Sequence, residues 1–263
     1  MSYENEIKSW RAAYERNLQA QNSWLSITGL HWLEEGDNVL PATDCSGLNA
    51  SPGTVTLEGD QLSFEPSDEA LAAHPELAGH AGPLELDGSG NSQRVTYGRC
   101  SFVAIQRLDR FAVRTFDLDS ELRRNFRGAA WYPINEKWRL QGEYHPYSEP
   151  RQMPMTNIVG QVRDVPVPGE LVFTIGDEEY RLLPTTSGDN FFVVFRDETA
   201  GSETYGAARF LSVKAPDEEG RVTVDFNRAY HPPCFYTPHA TCPLPFRENV
   251  LPLRIRAGEC LPD

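Results

Sequence analysis

The sequence predicts a mainly β protein, with antiparallel sandwich-like and barrel-like sheets, an N-terminal helix and a proline-rich C-terminal strap. Three observations carry the prediction. Beyond Val39 the chain runs in short alternations of apolar and polar residues broken by Gly, Pro and Asp, the pattern of antiparallel strands joined by tight turns. Helical spacing of apolar residues is confined to the start of the chain, within residues 1–21. Near the other end, Pro232, Pro233, Pro238, Pro243 and Pro245 forbid regular structure, so residues 227–252 read as an irregular strap held by packing and side-chain hydrogen bonds.

Taken in order, Ser2 can cap a helix whose first turn carries Glu4 and Glu6, and Ile7, Trp10, Tyr14 and Leu18 then share one face. Residues 54–64 fold back at Glu58, Gly59 and Asp60, and residues 100–115 fold back near Leu108, Asp109 and Arg110; both read as hairpins. Between them, residues 67–90 are rich in Ala, Gly, Pro and acids and read as a surface insertion with one helical turn at 69–73. A second short helix is expected over 120–126, capped by Asp117 or Asp119, and a strand over 138–144. The turn-rich stretch 146–154 then divides a sandwich-like half, 22–145, from a barrel-like half, 146–263.

In the second half Leu171, Phe173 and Ile175 alternate up to Gly176-Asp177-Glu178, with Tyr180 and Leu182 on the return strand. Residues 191–195 are apolar on both faces, as in a central strand. The strand over 205–213 sets Arg209 among Ala207, Phe210 and Leu211, where a charge needs a partner. Val222, Val224 and Phe226 share one face of the next strand, which leaves Thr223, Asp225 and Asn227 on the other.

Composition narrows the partners. With 263 residues, 40% of them hydrophobic, the chain can bury a sizeable core. Thirty-eight acidic against 24 basic residues give a net charge of -14, and the lysines are Lys8, Lys137 and Lys214. Such a surface repels phosphate backbones and anionic membranes, which argues against nucleic acid and lipid as partners. The start, Met1-Ser2-Tyr3-Glu4-Asn5-Glu6, lacks the basic and apolar runs of a signal peptide, and no segment has the length of a membrane span. Cys45, Cys100, Cys234, Cys242 and Cys260 are too scattered for a disulfide scaffold, so the cytoplasm is the expected compartment. Nothing in the sequence speaks to oligomeric state.

The least generic chemistry lies in the run from Asp225 through Asn227, Tyr230, His231, Cys234, Tyr236, His239 and Cys242 to Asn249. His231, Cys234, His239 and Cys242 form H-x2-C-x4-H-x2-C, and these are side chains zinc prefers. Prolines interrupt both the first pair and the middle gap, so two buried, reduced cysteines are the plainer reading; no cofactor is expected, with zinc as the lesser alternative. Cys234 or Cys242 paired with His231 or His239 is the nucleophilic alternative. No G-x-S-x-G elbow is present, and Gly88-Ser89-Gly90 lacks phosphate-loop spacing. Trp24, Trp32, Trp131 and Trp138 are read as core.

A second constellation joins Arg196, Asp197, Tyr205, Arg209 and Asp225 from neighbouring strands. Facing one interior, two guanidinium groups and two carboxylates would bind a carboxylate or phosphate; facing a closed core, they would fix strand register.

The chain resembles a bacterial and archaeal family known as domain of unknown function 1684. The resemblance rests on Ser23-Trp24-Leu25, Gly29-Leu30-His31-Trp32-Leu33, Gly36-Asp37-Asn38, Phe195-Arg196-Asp197, Thr204-Tyr205-Gly206 and Arg209-Phe210-Leu211. It is densest in Asp225-Phe226-Asn227-Arg228-Ala229-Tyr230, Pro232-Pro233-Cys234, Thr237-Pro238, Ala240-Thr241-Cys242-Pro243-Leu244-Pro245, Glu248-Asn249 and Ala257-Gly258-Glu259. It carries no activity with it. The family pattern has Asn and Tyr where this chain has His231 and His239, so a four-ligand metal site would be particular to this chain. The first half is also similar to a forkhead-associated sandwich in its Gly-x-Asn opening, although Pro41-Ala42-Thr43-Asp44 departs from the Gly-Ser that follows in that fold.

The leading expectation is a small polar or anionic ligand bound in the second half, with Arg196 and Arg209 supplying charge. Asp225, Asn227 and Tyr205 would orient it, the strap would form the wall, and Asp197, Tyr230 and Asn249 complete the ligand-binding set. The alternatives are a metal-assisted or cysteine-dependent hydrolase or transferase, with Asp225, Cys234 and Tyr205 as catalytic candidates, and a structural or partner-binding module.

Overall fold

The computed structural model describes residues 2–42, 50–87 and 93–262; Cys45, Thr43-Asp44 and the Gly88-Ser89-Gly90 run lie outside them. The elements, in chain order, are α1 (Tyr3–Leu18), β1 (Ile27–Trp32), β2 (Gly36–Val39), β3 (Gly53–Glu58), β4 (Gln61–Pro66), α2 (Asp68–Ala73), β5 (Gly82–Leu84), β6 (Val95–Tyr97), β7 (Cys100–Arg107) and β8 (Arg110–Asp117). They continue with α3 (Glu121–Asn125), β9 (Ala130–Trp131), β10 (Arg139–Thr156), β11 (Val162–Ile175), β12 (Glu178–Leu182), β13 (Thr185–Ser187), β14 (Asn190–Phe195), β15 (Arg209–Lys214), β16 (Arg221–Asp225), α4 (Pro233–Tyr236) and β17 (Glu259–Cys260). The protein is mainly β and its strand ladders are antiparallel. No helix among the described residues is long and apolar enough to cross a membrane.

The chain forms two compact units: residues 1–16, 127–235 and 241–263 make one, and residues 17–126 and 236–240 the other. The division expected at residues 145 and 146 therefore falls inside a continuous strand. Pro146 and Pro154 sit in β10; the ladder to β11 breaks register between Pro146 and Arg151, while Pro154 stays in register opposite Asp164. A bulge of this kind tolerates a residue that cannot donate to the ladder.

In the unit of residues 17–126 and 236–240, sheets β1-β8-β7-β6 and β2-β3-β4-β5 enclose one core, with Val55, Leu57, Leu62 and Phe64 packed against Val95, Phe102, Ala104 and Val113. The hairpins turn where their sequence signals lie, between Glu58 and Gln61 and between Arg107 and Arg110. The 67–90 stretch is more integrated than its composition suggests. Ser67 caps α2, β5 joins the sheet through β4, and Ala70, Leu77 and Leu84 are buried. The short helix α3 is capped by Ser120, whose Oγ accepts from Arg123 N, and not by Asp117 or Asp119. In the Gly36-Asp37-Asn38 opening, Asn38 spends its amide on its own turn, bonding the backbone of Glu34 and Gly36.

In the other unit, sheets β12-β11-β10-β16 and β13-β14-β15 curve around a shared core of Leu171, Phe173, Phe191, Val193, Leu211, Val213, Val222, Val224 and Phe226. Alternation decides which residues these strands turn outward. In β15, Leu211 and Val213 are buried while Ser212 and Lys214 are exposed; in β16, Val222 and Val224 are buried beside a half-buried Thr223. Between β16 and β17 the chain has only short helical turns and isolated bridges. Gly258 lies there with φ +78, and a Cβ would meet Ala229 O at 2.4 Å, so only glycine lets the backbone pass.

Candidate functional site

A cavity of about 510 Å³ opens on the outer face of β15 and β16. The outward residues of these strands, Ser212, Lys214, Thr223 and Asp225, form its floor, and Arg139 joins them because it pairs in register with Asp225 across β10 and β16. Helix α1 supplies one wall. Glu6 and Trp10 are one turn apart on that helix and face the cavity together. Tyr230 completes the aromatic side, its ring 6.5 Å from that of Trp10, and burial lifts its phenol to a pKa of about 12.

The charges around the cavity divide into satisfied and unsatisfied ones. Arg228 bonds Glu6 and lies 3.5 Å from Asp225 Oδ2, while Arg221 is paired with Asp217 and Glu219. Arg139 stacks 4.8 Å from the Tyr3 ring centre but has no carboxylate partner among the described residues, and neither has Lys214. Two cations thus point into a concave, partly aromatic space in a strongly acidic protein. A smaller cavity of about 210 Å³ is lined by Tyr147, Arg151 and Glu170, with Arg151 over the Tyr147 ring at 3.7 Å. Its Glu170 already accepts from Tyr147 and Arg181.

Of the residues expected to bind ligand, Asp225 and Tyr230 line the cavity and the rest lie elsewhere. Arg209 and Asp225, members of the same constellation, do not pair. Arg209 is 1% exposed and donates to Asp197 Oδ1 at 3.1 Å, to Ile255 O at 2.9 Å and to Ala257 O at 2.5 Å. Asp197 in turn accepts from Thr199 Oγ1 and, at 2.6 Å, from Ile255 N. Together they tie β14 and β15 to the C-terminal segment. Arg196 is exposed and contributes backbone bonds to Asn249 and Leu251. Asn249, fully buried, accepts from Leu183 N and donates to Leu183 O and Val194 O. Asn227 does the same for Asn135, bonding both its backbone N and its O. Both asparagines satisfy backbone that no strand ladder reaches.

Asp225 has a double role. Its Oδ1 accepts from Tyr3 OH at 2.8 Å and from Asn227 N at 3.1 Å, so it starts the turn after β16 and anchors α1. That bond and the burial of the ring hold the Tyr3 phenol well above its usual pKa.

The H-x2-C-x4-H-x2-C residues do not converge as a ligand set. His231 is fully buried; its Nε2 accepts the Tyr205 amide at 3.1 Å, which leaves the ring proton on Nδ1, facing Glu259 Oε1 at 3.4 Å. Nε2 is thus taken by the Tyr205 amide, while Nδ1 faces Glu259 without a hydrogen bond, so neither nitrogen is given to Cys234. Among the described residues no three His, Cys, Asp or Glu side chains are grouped to hold a metal ion. Cys234 and Cys242 lie together, and Tyr205 OH donates to Cys234 O at 3.2 Å. Cys234, Cys242 and Cys260 are in no disulfide, whereas Cys100 is disulfide-bonded. That cystine sits uneasily with the reducing compartment expected from the cysteine count.

Arg139, Lys214, Glu6, Trp10, Ser212 and Thr223 also line the cavity and are not among the residues the sequence singles out for ligand binding. The signal available for Lys214 and Ser212 was strand alternation together with the scarcity of lysine. For Glu6 and Trp10 there was none, because the helix meets the strands only in the folded chain.

The chain belongs to the family described as "Protein of unknown function (DUF1684)", which it matches over residues 124–260. No curated protein matches it. Among solved structures, the chain is similar to the solution NMR structure of an uncharacterized protein from gene locus rrnAC0354 of Haloarcula marismortui. That match has 26% sequence identity and a TM-score of 0.44, and covers 53% of this chain and 79% of that one.

Proposed function

We propose that the barrel-like unit binds a small anionic ligand, a carboxylate or a phosphate ester with a planar or apolar body, in the cavity beside Asp225. The observation that carries this reading is the pair of cations without carboxylate partners, Arg139 and Lys214, set at a concave site walled by Trp10 and Tyr230. Arg139 offers a planar fork suited to a bidentate carboxylate or phosphate, and Lys214 a point charge on a flexible stem. Trp10 and Tyr230 offer aromatic surface, with Ser212, Thr223 and Asn190 as neutral hydrogen-bonding groups. The presence of a cavity beside Asp225 favours ligand binding over a purely structural module. The reading requires no cofactor, and the Glu6, Asp217 and Asp225 carboxylates around the site select against polyanions such as nucleic acid.

Thermal-shift screening with aliphatic and aromatic carboxylates and phosphate monoesters, followed by calorimetry on the best, tests it. Removing one charge-assisted contact of about 1.5–3 kcal/mol should weaken binding roughly tenfold or more in Lys214→Gln or Arg139→Gln. Arg196→Gln, an exposed change outside the cavity, should leave affinity unaltered. No stabilising acid in the panel, or one whose affinity survives both cavity substitutions, would refute the reading.

A further inference from the structure

The proline-rich segment holds a feature that anion binding leaves unused. Neither Cys234 nor Cys242 is in a disulfide, and the Cys234 backbone N–H donates to Cys242 Sγ at 3.2 Å. The flanking Pro232, Pro233, Pro243 and Pro245 restrict the backbone on both sides, so little further ordering is needed to join the sulfurs. Cys242 is buried at 5% exposure, while Cys234 is half-buried, so a reagent from solvent reaches Cys234 first.

We propose that Cys234 and Cys242 form a redox-active dithiol that reduces hydroperoxides, with Cys234 as the attacking thiol and Cys242 as the resolving one. In the first step the Cys234 thiolate attacks one peroxide oxygen. An S–O bond forms, the O–O bond breaks, and the leaving alkoxide or hydroxide takes up a proton, which leaves Cys234 as a sulfenic acid. In the second, the Cys242 sulfur attacks the Cys234 sulfur. An S–S bond forms, the S–O bond breaks, and the departing hydroxide leaves with the Cys242 proton as water. Two electrons pass from the thiol pair to the peroxide, and an external thiol restores the dithiol by exchange.

The surroundings support this division of roles. Hydrogen bonding from Cys242, and then from the Tyr205 hydroxyl, holds the Cys234 thiol below its usual pKa against the opposing effect of burial. Tyr205 is a positioning residue; its hydroxyl donates to the carbonyl oxygen of Cys234 at 3.2 Å. Phe235 packs on Tyr205 and on the His231 ring and closes the apolar side of this cluster.

The test uses the full reduced chain, hydrogen peroxide as oxidant and peptide mapping as readout. The expected product is one intramolecular 234–242 disulfide per chain, reversed by dithiothreitol, with Cys260 still alkylatable as the internal reference thiol. In Cys242→Ser the oxidised species should be a sulfenic acid on Cys234 that dimedone traps. Iodoacetamide should alkylate Cys234 about tenfold faster than Cys260 near neutral pH, and Tyr205→Phe should move the pH midpoint of that alkylation upward. Absence of the 234–242 linkage in the unaltered protein, intermolecular linkage in its place, or Cys234 reacting no faster than Cys260 would overturn the proposal. The wild-type measurement needs no variant, so a substitution that fails to fold leaves the test intact.

Discussion

Replacing Arg209 by alanine separates scaffold from site. The guanidinium makes three hydrogen bonds, to Asp197, Ile255 and Ala257, in surroundings where the Arg209 and Asp197 side chains are 2% and 1% exposed. Desolvation pulls the arginine pKa down and the Asp197 carboxylate opposes the pull, so neither charge is comfortable without the other. Truncation leaves a buried carboxylate held by Thr199 and Ile255 N and strips two carbonyls of a donor. Breaking a buried pair from one side costs about 3–5 kcal/mol, which corresponds to a fall in melting temperature on the order of 10 °C. Urea unfolding followed by tryptophan fluorescence, together with calorimetry, measures it. Arg209→Met with Asp197→Leu should recover part of the loss, because replacing both partners removes the stranded charge. Arg209→Ala within about 1 kcal/mol of wild type, or a selective loss of acid binding without loss of stability, would contradict the assignment of this pair to the scaffold.

Two further outcomes follow from the same geometry. Glu203 accepts from Tyr132, Arg254 and Arg256, and bonding from Arg256 and Arg254 lowers its pKa from 4.5 to about 2. A carboxylate depressed on folding stabilises the protein above its unfolded pKa and loses that contribution as pH falls through its folded one. Glu203→Gln should therefore melt lower than wild type at pH 6, and the gap should close between pH 4.5 and about 2. Gly258→Ala should destabilise by more than the usual point substitution, several kcal/mol by denaturant titration, since its methyl would sit 2.4 Å from Ala229 O and 2.8 Å from Phe226 O at φ +78.

The sequence determined the β class, the hairpins at Gly59 and Gly176, the outward face of β16 and the need of Arg209 for a partner. These are local matters. Alternation, turn residues and the cost of a lone buried charge act within a few residues of chain, so they can be read without the fold. Two residues of the segment it singled out, Asp225 and Tyr230, line the cavity.

Which residues meet was decided by the tertiary structure. Arg209 faced two plausible carboxylates, and strand register gave it Asp197 while setting Asp225 opposite Arg139. Asn227 and Asn249 looked like ligand-binding amides, yet both are consumed by backbone groups 92 and 66 residues away in sequence. The cavity itself exists because Glu6 and Trp10 of the first helix come to rest beside strands more than 200 residues later, near enough for Tyr3 to bond Asp225 across 222 residues. No local pattern encodes a pairing over that distance, because the free energy that selects it comes from burying the whole helix face at once.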